Sequence, residues 1–495
     1  MQIVLTLAND TITLTMSDKA DTIKNSDVPT LNKTLGVYDG IAILVGICIG
    51  AGIYSNPQII AGHLSSFSAI MLLWGAGGIF VFISSLIYAE LGTRMPYTGG
   101  EYAYITRCFG PFAGFIFGWG QLLIVRTSAT AGLALITAEY LGYFIPLEQY
   151  SMKISQLWIA PYLGAVVTLE NSAFIFTAMI IVSIFGALNY IGIQRASFFQ
   201  KISTALKISG ILLIVFAGLF FSKSQENLLS TQADPVNNMG LLGNIVSAMF
   251  MIIFAHTGWE RLGYSAGEIK NPRRVLPISL LLGTSIVILL YALTNYTYHS
   301  TLGMEGMRTS TLVASDTMMV LMGPVGATLI TLLVIVSATG SMNGTLMTAP
   351  RVYFAMARDG IFFKWLDYIH PRFRSPSRSI LVHCLWAIVI LLLRGNFGDI
   401  ARGLVFTLLI FYALSNLALF QMRKDDIGGE DVFEVPLYPY LPLVSLFFIV
   451  ALLVVRAIFE FKQSLIDLTF IITGIPFAIY WCYFKGKVGT PHSAK

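Results

Sequence analysis

Three glycines, Gly46, Gly50 and Gly52, sit in the middle of an apolar stretch from Ile43 to Ile60, ILVGICIGAGIYSNPQII, and Pro57 follows soon after. A lipid-crossing helix with this sequence is one built to break. In lipid, a break is tolerated only where protein or a water-filled cavity satisfies the freed N–H and C=O groups. Those groups have opposite polarity, because amides point from the start of the second half-helix and carbonyls from the end of the first. One set suits an anion and the other a cation. A small zwitterion such as a free amino acid would set its carboxylate at the amides around Ala51, Gly52 and Ile53, and its ammonium at carbonyls near Ile47 and Ile49. The plainer alternative is helix packing, since Gly46 and Gly50 form a GxxxG.

A second stretch tips that balance. Met251 to Gly267, MIIFAHTGWERLGYSAG, has the same interrupted composition, and its Gly258 lies 206 positions after Gly52. Phe254 at this break offers a carbonyl and an aromatic lid, with Ala255 and Thr257 beside it. Paired broken helices in two halves of a chain imply a transporter. Charged residues inside spans are the other candidates. An unpaired ammonium at Lys207 costs about 2.5 to 3.5 kcal/mol on insertion scales. It either snorkels to the nearer headgroups or fills a cation position between helices. Glu260 and Arg261 follow the second break, as a gate, proton carrier or counter-ion, or as a charge pair with another helix. His256 reads as a satisfied pore-lining histidine more readily than as a sensor. Arg126 has no evident partner.

The elements that must carry these residues are helices. The chain is 495 residues long, 56% hydrophobic and 12% charged, about half the charge of ordinary soluble proteins. Hydropathy places twelve spans near 36–64, 68–92, 112–142, 172–192, 202–222, 243–267, 276–298, 324–348, 379–394, 402–421, 440–460 and 464–484. A β-barrel is excluded, because runs such as Ile211 to Phe221 do not alternate. Of the 31 Lys and Arg, 21 fall on segments sharing the side of the N-terminus, 7 on the other side and 3 within spans. The positive-inside rule then puts both termini in the cytoplasm of a multi-pass protein in a cell (inner or plasma) membrane. The net charge of +5 therefore carries no implication of nucleic-acid binding. Residues 1–35 and 485–495 read as cytoplasmic tails. The four cysteines, Cys48, Cys108, Cys384 and Cys482, show neither disulfide nor zinc spacing, so no metal or cofactor is expected. No constellation such as HExxH or paired intramembrane Asp points to an enzyme. An ion channel stays open on composition.

Five blocks resemble the amino acid, polyamine and organocation transporters, and within them the L-type amino-acid transporter branch. They are IGAGIY at 49–54, YAELGTRMPYTGGEYAYI at 88–105, QKISTALK at 200–207, FAHTGWERLGYSAGEIKNPRRVLP at 254–277 and GSMNGTLMTAPRVYFAMARDG at 340–360. The resemblance implies an all-α, LeuT-like inverted repeat of five plus five spans, 36–222 and 243–421, with broken helices one and six. Two peripheral helices at 440–484 lie outside that core. It implies that substrate binds between the breaks, that Gly50, Ala51 and Gly52 hold its carboxylate, and that Phe254 gates the outer side, with Glu260 the other candidate gate. It further implies that Lys207, with hydroxyls of Ser337 and Ser341, stands in for a sodium ion. Transport would then be sodium-independent exchange or facilitated movement by alternating access.

Three positions depart from the branch. Ala51 replaces the usual serine. Residues 143–171 hold no cysteine, so no disulfide-linked heavy chain is expected. Glu260 stands where many L-type members have Asn, which keeps a proton-coupled or cationic amino-acid or polyamine carrier as an alternative, whereas Thr257 points to neutral substrates.

Overall fold

The computed structural model describes residues 33, 35–96, 99–157, 160, 168–221, 239–358 and 360–484. Both expected tails lie outside these residues except for positions 33 and 35. Among the described residues, eleven helices are long and apolar enough to cross a membrane, and a bent pair forms a twelfth span. That pair is α1 (Val37–Cys48) and α2 (Gly52–His63), which meet at 46°. Then follow α3 (Phe67–Arg94), α4 (Glu101–Gly120), a π-turn (Gln121–Val125), α5 (Arg126–Leu141), the short α6 (Leu147–Ser155), α7 (Ser172–Ile191) and α8 (Ile193–Phe221). The second set opens with α9 (Gly240–His256) and a 3₁₀ segment (Trp259–Glu268), followed by α10 (Pro272–Thr309), α11 (Val313–Arg358), α12 (Ser377–Arg394) and α13 (Phe397–Lys424). The chain then adds α14 (Tyr440–Phe459), α15 (Phe461–Ile472) and α16 (Gly474–Ile479). Each five-span set begins with an interrupted helix. Five crossings reverse the direction of entry, so the second set enters from the opposite end.

Two of the sequence boundaries fall where glycine precedes proline. Gly110 (φ 82°) and Gly323 (φ 68°) take the left-handed conformation that ends a helix, and Pro111 and Pro324 start the next one. The spans expected from 112 and from 324 begin at these kinks, with short helices before them. Span five differs more. It was expected from 202, but α8 starts at Ile193 because the polar run IQRASFFQ continues the helix instead of ending it.

Ionic clamps hold both ends of the bundle. At the end where the chain enters α1, the fully buried Glu90 accepts from Arg94 Nε (2.7 Å), from Arg423 Nε and Nη2 (both 2.7 Å) and from the Val435 amide (2.7 Å). At the opposite end, Asp467 of α15 accepts from Arg394 and from Arg456 (2.9 Å), and Arg456 also reaches Glu460 (3.1 Å). A buried charge is tolerated only when paired, and breaking such a pair costs about 3–5 kcal/mol. These clusters therefore fix α3 to α13 at one end, and α12, α14 and α15 to one another at the other. Beside α1, Leu35 pairs with the strand-like residue after the second break through Leu35 N to Glu268 O (3.1 Å) and Lys270 N to Leu35 O (2.9 Å).

Candidate functional site

The first break lies at Ile49–Ala51. Ile49 (φ −68°, ψ 86°) leaves the helix, the Gly50 amide folds back on Cys48 O (2.7 Å), and α2 starts at Gly52. Pro57 is carried inside α2. Among the described residues, the amides of Ala51, Gly52 and Ile53 have no backbone acceptor, and no donor reaches the carbonyls of Ile47 and Ile49. Unsatisfied buried main-chain groups are rare in proteins and call for a partner. Here they form two sets of opposite sign within seven residues, all on buried or nearly buried backbone. Glycine is needed for close approach: a Cβ on Gly52 would lie 2.9 Å from Ala255 Cα, and one on Gly46 2.6 Å from Thr204 Cγ2. The two breaks are thus in direct contact at Gly52 and Ala255.

The second break is made differently. Gly258 (φ 119°) is left-handed, and a Cβ there would also meet Ile47 Cγ2 at 2.7 Å, so backbone conformation and space both demand glycine. Phe254 O, expected to be free for a ligand, accepts from both Thr257 N (3.1 Å) and Thr257 Oγ1 (2.8 Å). The Glu260 carboxylate turns back to accept from Gly258 N (2.8 Å) and from Tyr412 Oη (3.3 Å), and Arg261 Nε stands 3.8 Å away. The Phe254 ring packs edge-on against Phe397 at the start of α13, centroids 5.3 Å apart.

Lys207 is 1% exposed. It lies nine residues after Phe198, where the apolar span begins, roughly 14 Å at helical rise, and it is turned into the protein rather than out to the headgroups. Its Nζ donates to Ser341 Oγ (2.8 Å) and to Gly46 O (3.3 Å), joining spans one, five and eight. Ser337, one turn before Ser341, is buried, and its hydroxyl has no partner among the described residues. Of the two expected serines, one meets the ammonium. Tyr140 Oη donates to Tyr54 O (2.8 Å) and Tyr54 Oη to Lys207 O (3.3 Å), so α5 and α2 brace the same place.

Some neighbours were not found by sequence reasoning. Glu101, fully buried, accepts from Tyr88 Oη (2.6 Å) and Tyr264 Oη (2.9 Å). The Arg126 guanidinium lies 5.7 Å from the centre of the Tyr264 ring, in the field of Glu101 and Glu260. The π-turn just before Arg126 shifts the helical register, and its carbonyls are taken by side chains: Leu122 O by Thr127 (2.7 Å), Leu123 O by Trp386 (2.7 Å) and Gln121 O by Tyr353 (3.3 Å). Such π-turns are frequent at functional positions, but no sequence pattern announces this one. His256 is a packed histidine, with Nδ1 2.9 Å from Ile252 O and its ring against Trp74 and Tyr291. Among the described residues, no cluster of His, Cys, Asp or Glu could hold a metal ion.

Known proteins are similar to this chain over most of its length. The profile of the amino acid permease family matches residues 35–482. The b(0,+)-type amino acid transporter 1 of Mus musculus is 29% identical over 462 residues, 92% of this chain and 89% of that protein. The serine/threonine exchanger SteT of Bacillus subtilis is 28% identical over 423 residues, covering 84% and 89%. The human cystine/glutamate transporter is 27% identical over 431 residues, covering 85% and 80%.

Proposed function

The chain belongs to the amino acid permease family, and from that membership we propose that it moves neutral amino acids by sodium-independent alternating access. The observation that carries this reading is the first break, where unpartnered amides at Ala51, Gly52 and Ile53 stand beside unpartnered carbonyls at Ile47 and Ile49. A carboxylate and an ammonium on one carbon have that polarity and spacing. Two charged side chains beside the breaks, Lys207 and Glu260, are already engaged within the protein, which supports a substrate whose side chain carries no charge of its own. The Lys207 ammonium takes a cation position between Gly46 O and Ser341 Oγ. A tethered charge cannot run down a sodium gradient, and a counter-substrate drives uphill movement instead. Two relatives whose names specify exchange of serine and threonine or transport of cystine and glutamate agree with exchange and leave the side-chain class to experiment.

In this reading both termini are cytoplasmic, Phe254 against Phe397 closes the outer path, and no disulfide-linked heavy chain is used. Uptake of radiolabelled leucine or alanine into proteoliposomes, competed by arginine, with and without sodium and a pH gradient, tests it. Sodium-free uptake that rises with internal unlabelled substrate is expected; competition by arginine alone, or a sodium requirement, overturns the reading. Phe254→Ala is expected to lower the exchange rate about tenfold with retained binding, and an unchanged rate would remove Phe254 from the gate.

A further inference from the structure

The hydroxyl of Tyr291, on α10, sits 2.8 Å from Cys48 O and 3.0 Å from Ala255 O. These two carbonyls end the first halves of the two broken helices, where the helix dipoles concentrate negative charge. Left alone at this proximity, they would repel each other. One neutral hydroxyl lies between them, in a residue with no exposed surface. The ring that aims it is fixed edge-on by Trp74 (5.7 Å, 83°) and by His256 (5.0 Å, 65°). Spans one, two, six and seven all meet at this one side chain.

Cys48 O already accepts the Gly50 amide, so its second lone pair is the one turned to Tyr291. A single O–H has one hydrogen for two acceptors. The hydroxyl therefore couples the ends of both half-helices and sets the distance between them. That distance in turn fixes where Ile49 O and the amides of Ala51 and Gly52 stand relative to Ala255.

We propose that Tyr291 is a positioning residue for amino-acid binding, whose hydroxyl holds the carbonyl ends of both broken helices at the spacing the substrate requires. It touches no substrate itself. The inference rests on the reading that substrate binds between the two breaks, and the experiment separates failure of one from failure of the other.

Tyr291→Phe keeps the ring contacts and removes only the hydroxyl. In proteoliposomes its KM for the best substrate is expected to rise about tenfold, with the maximal rate within about threefold and the melting temperature of the purified protein unchanged. A rise in KM at constant rate is the mark of lost ground-state binding. Replacing Tyr291 by 4-aminophenylalanine, which restores an N–H at the same position, is expected to return KM to near the starting value. A starting-value KM in Tyr291→Phe, or no recovery with the amine, overturns the proposal. Should Tyr291→Phe yield no folded protein, Trp74→Leu loosens the ring that aims the hydroxyl. A rise in KM of about threefold is then expected, and an unchanged KM overturns the proposal equally. If instead Gly52→Val leaves transport intact, the site between the breaks is itself misplaced.

Discussion

The two breaks are alike in sequence and unlike in what they leave open. At the first, helix resumes as α after three residues, and amides and carbonyls are left without partners. At the second, the chain resumes as a ten-residue 3₁₀ segment, and its own side chains take two of the freed groups: Thr257 covers Phe254 O and Glu260 covers Gly258 N. The first break keeps groups of both polarities uncovered; the second is partly covered by its own side chains. A glycine interruption alone therefore does not make a binding site. What decides is whether nearby Thr, Glu or Tyr side chains reach the exposed backbone before a ligand can.

The sharpest way to break this contrast is at the point where the halves touch. Gly52→Val puts a branched side chain against Ala255 Cα, which is backbone and cannot move aside. Loss of substrate binding by at least about 100-fold is expected in a scintillation-proximity assay, equivalent to the upper end of the roughly 1–3 kcal/mol usual for overpacking, because the amides themselves are displaced. Retained binding would mean that the ligand does not use the first break.

Lys207→Ala comes next. It removes a fully buried ammonium together with its bonds to Ser341 and Gly46, and exchange is expected to fall at least about tenfold at equal surface abundance. Sodium is the ion that would replace the lost charge, so uptake by the variant is measured with and without it. An unchanged rate would make the lysine a mere strut.

Much of this was legible in the sequence because lipid leaves few options. Continuous apolar runs can only be helices there, and glycines at Gly50, Gly52 and Gly258 mark backbone that must bend or touch. The start of α8 and the engagement of Phe254 O were not legible. The polar run before Lys207 suggested a membrane edge where the helix in fact continues, and Thr257 shows its reach only in three dimensions. Tyr291 and Glu101 gave no local signal either, because their partners lie 243 and 163 positions away. Pairings of that range are set by the packing of spans, which hydropathy cannot order.

At the second break, Glu260→Gln keeps an oxygen for Gly258 N and removes the charge. A change of no more than about threefold in exchange is expected, with the same pH profile as the parent. Glu260→Leu leaves that buried amide unpaired, costing about 1–3 kcal/mol, and should reduce exchange about tenfold. Collapse of transport in the Gln variant would instead make the carboxylate a proton or substrate carrier, and the second break would be as open as the first.

The smallest effect separates two hydroxyls that the sequence places as equals. Ser341 Oγ receives the Lys207 ammonium at 2.8 Å, whereas Ser337 Oγ is buried with no partner among the described residues. Removing an engaged partner strands a charged donor, and hydrogen bonds to charged groups are worth about 1.5–3 kcal/mol. Ser341→Ala is therefore expected to lower exchange about tenfold and to leave part of that loss recoverable by added sodium. Removing an unpartnered hydroxyl strands nothing, so Ser337→Ala should keep exchange within about twofold and leave or slightly raise the melting temperature. Equal losses in the two variants would show that Lys207 exchanges between both serines during the transport cycle, and that the cation position spans a full turn of α11.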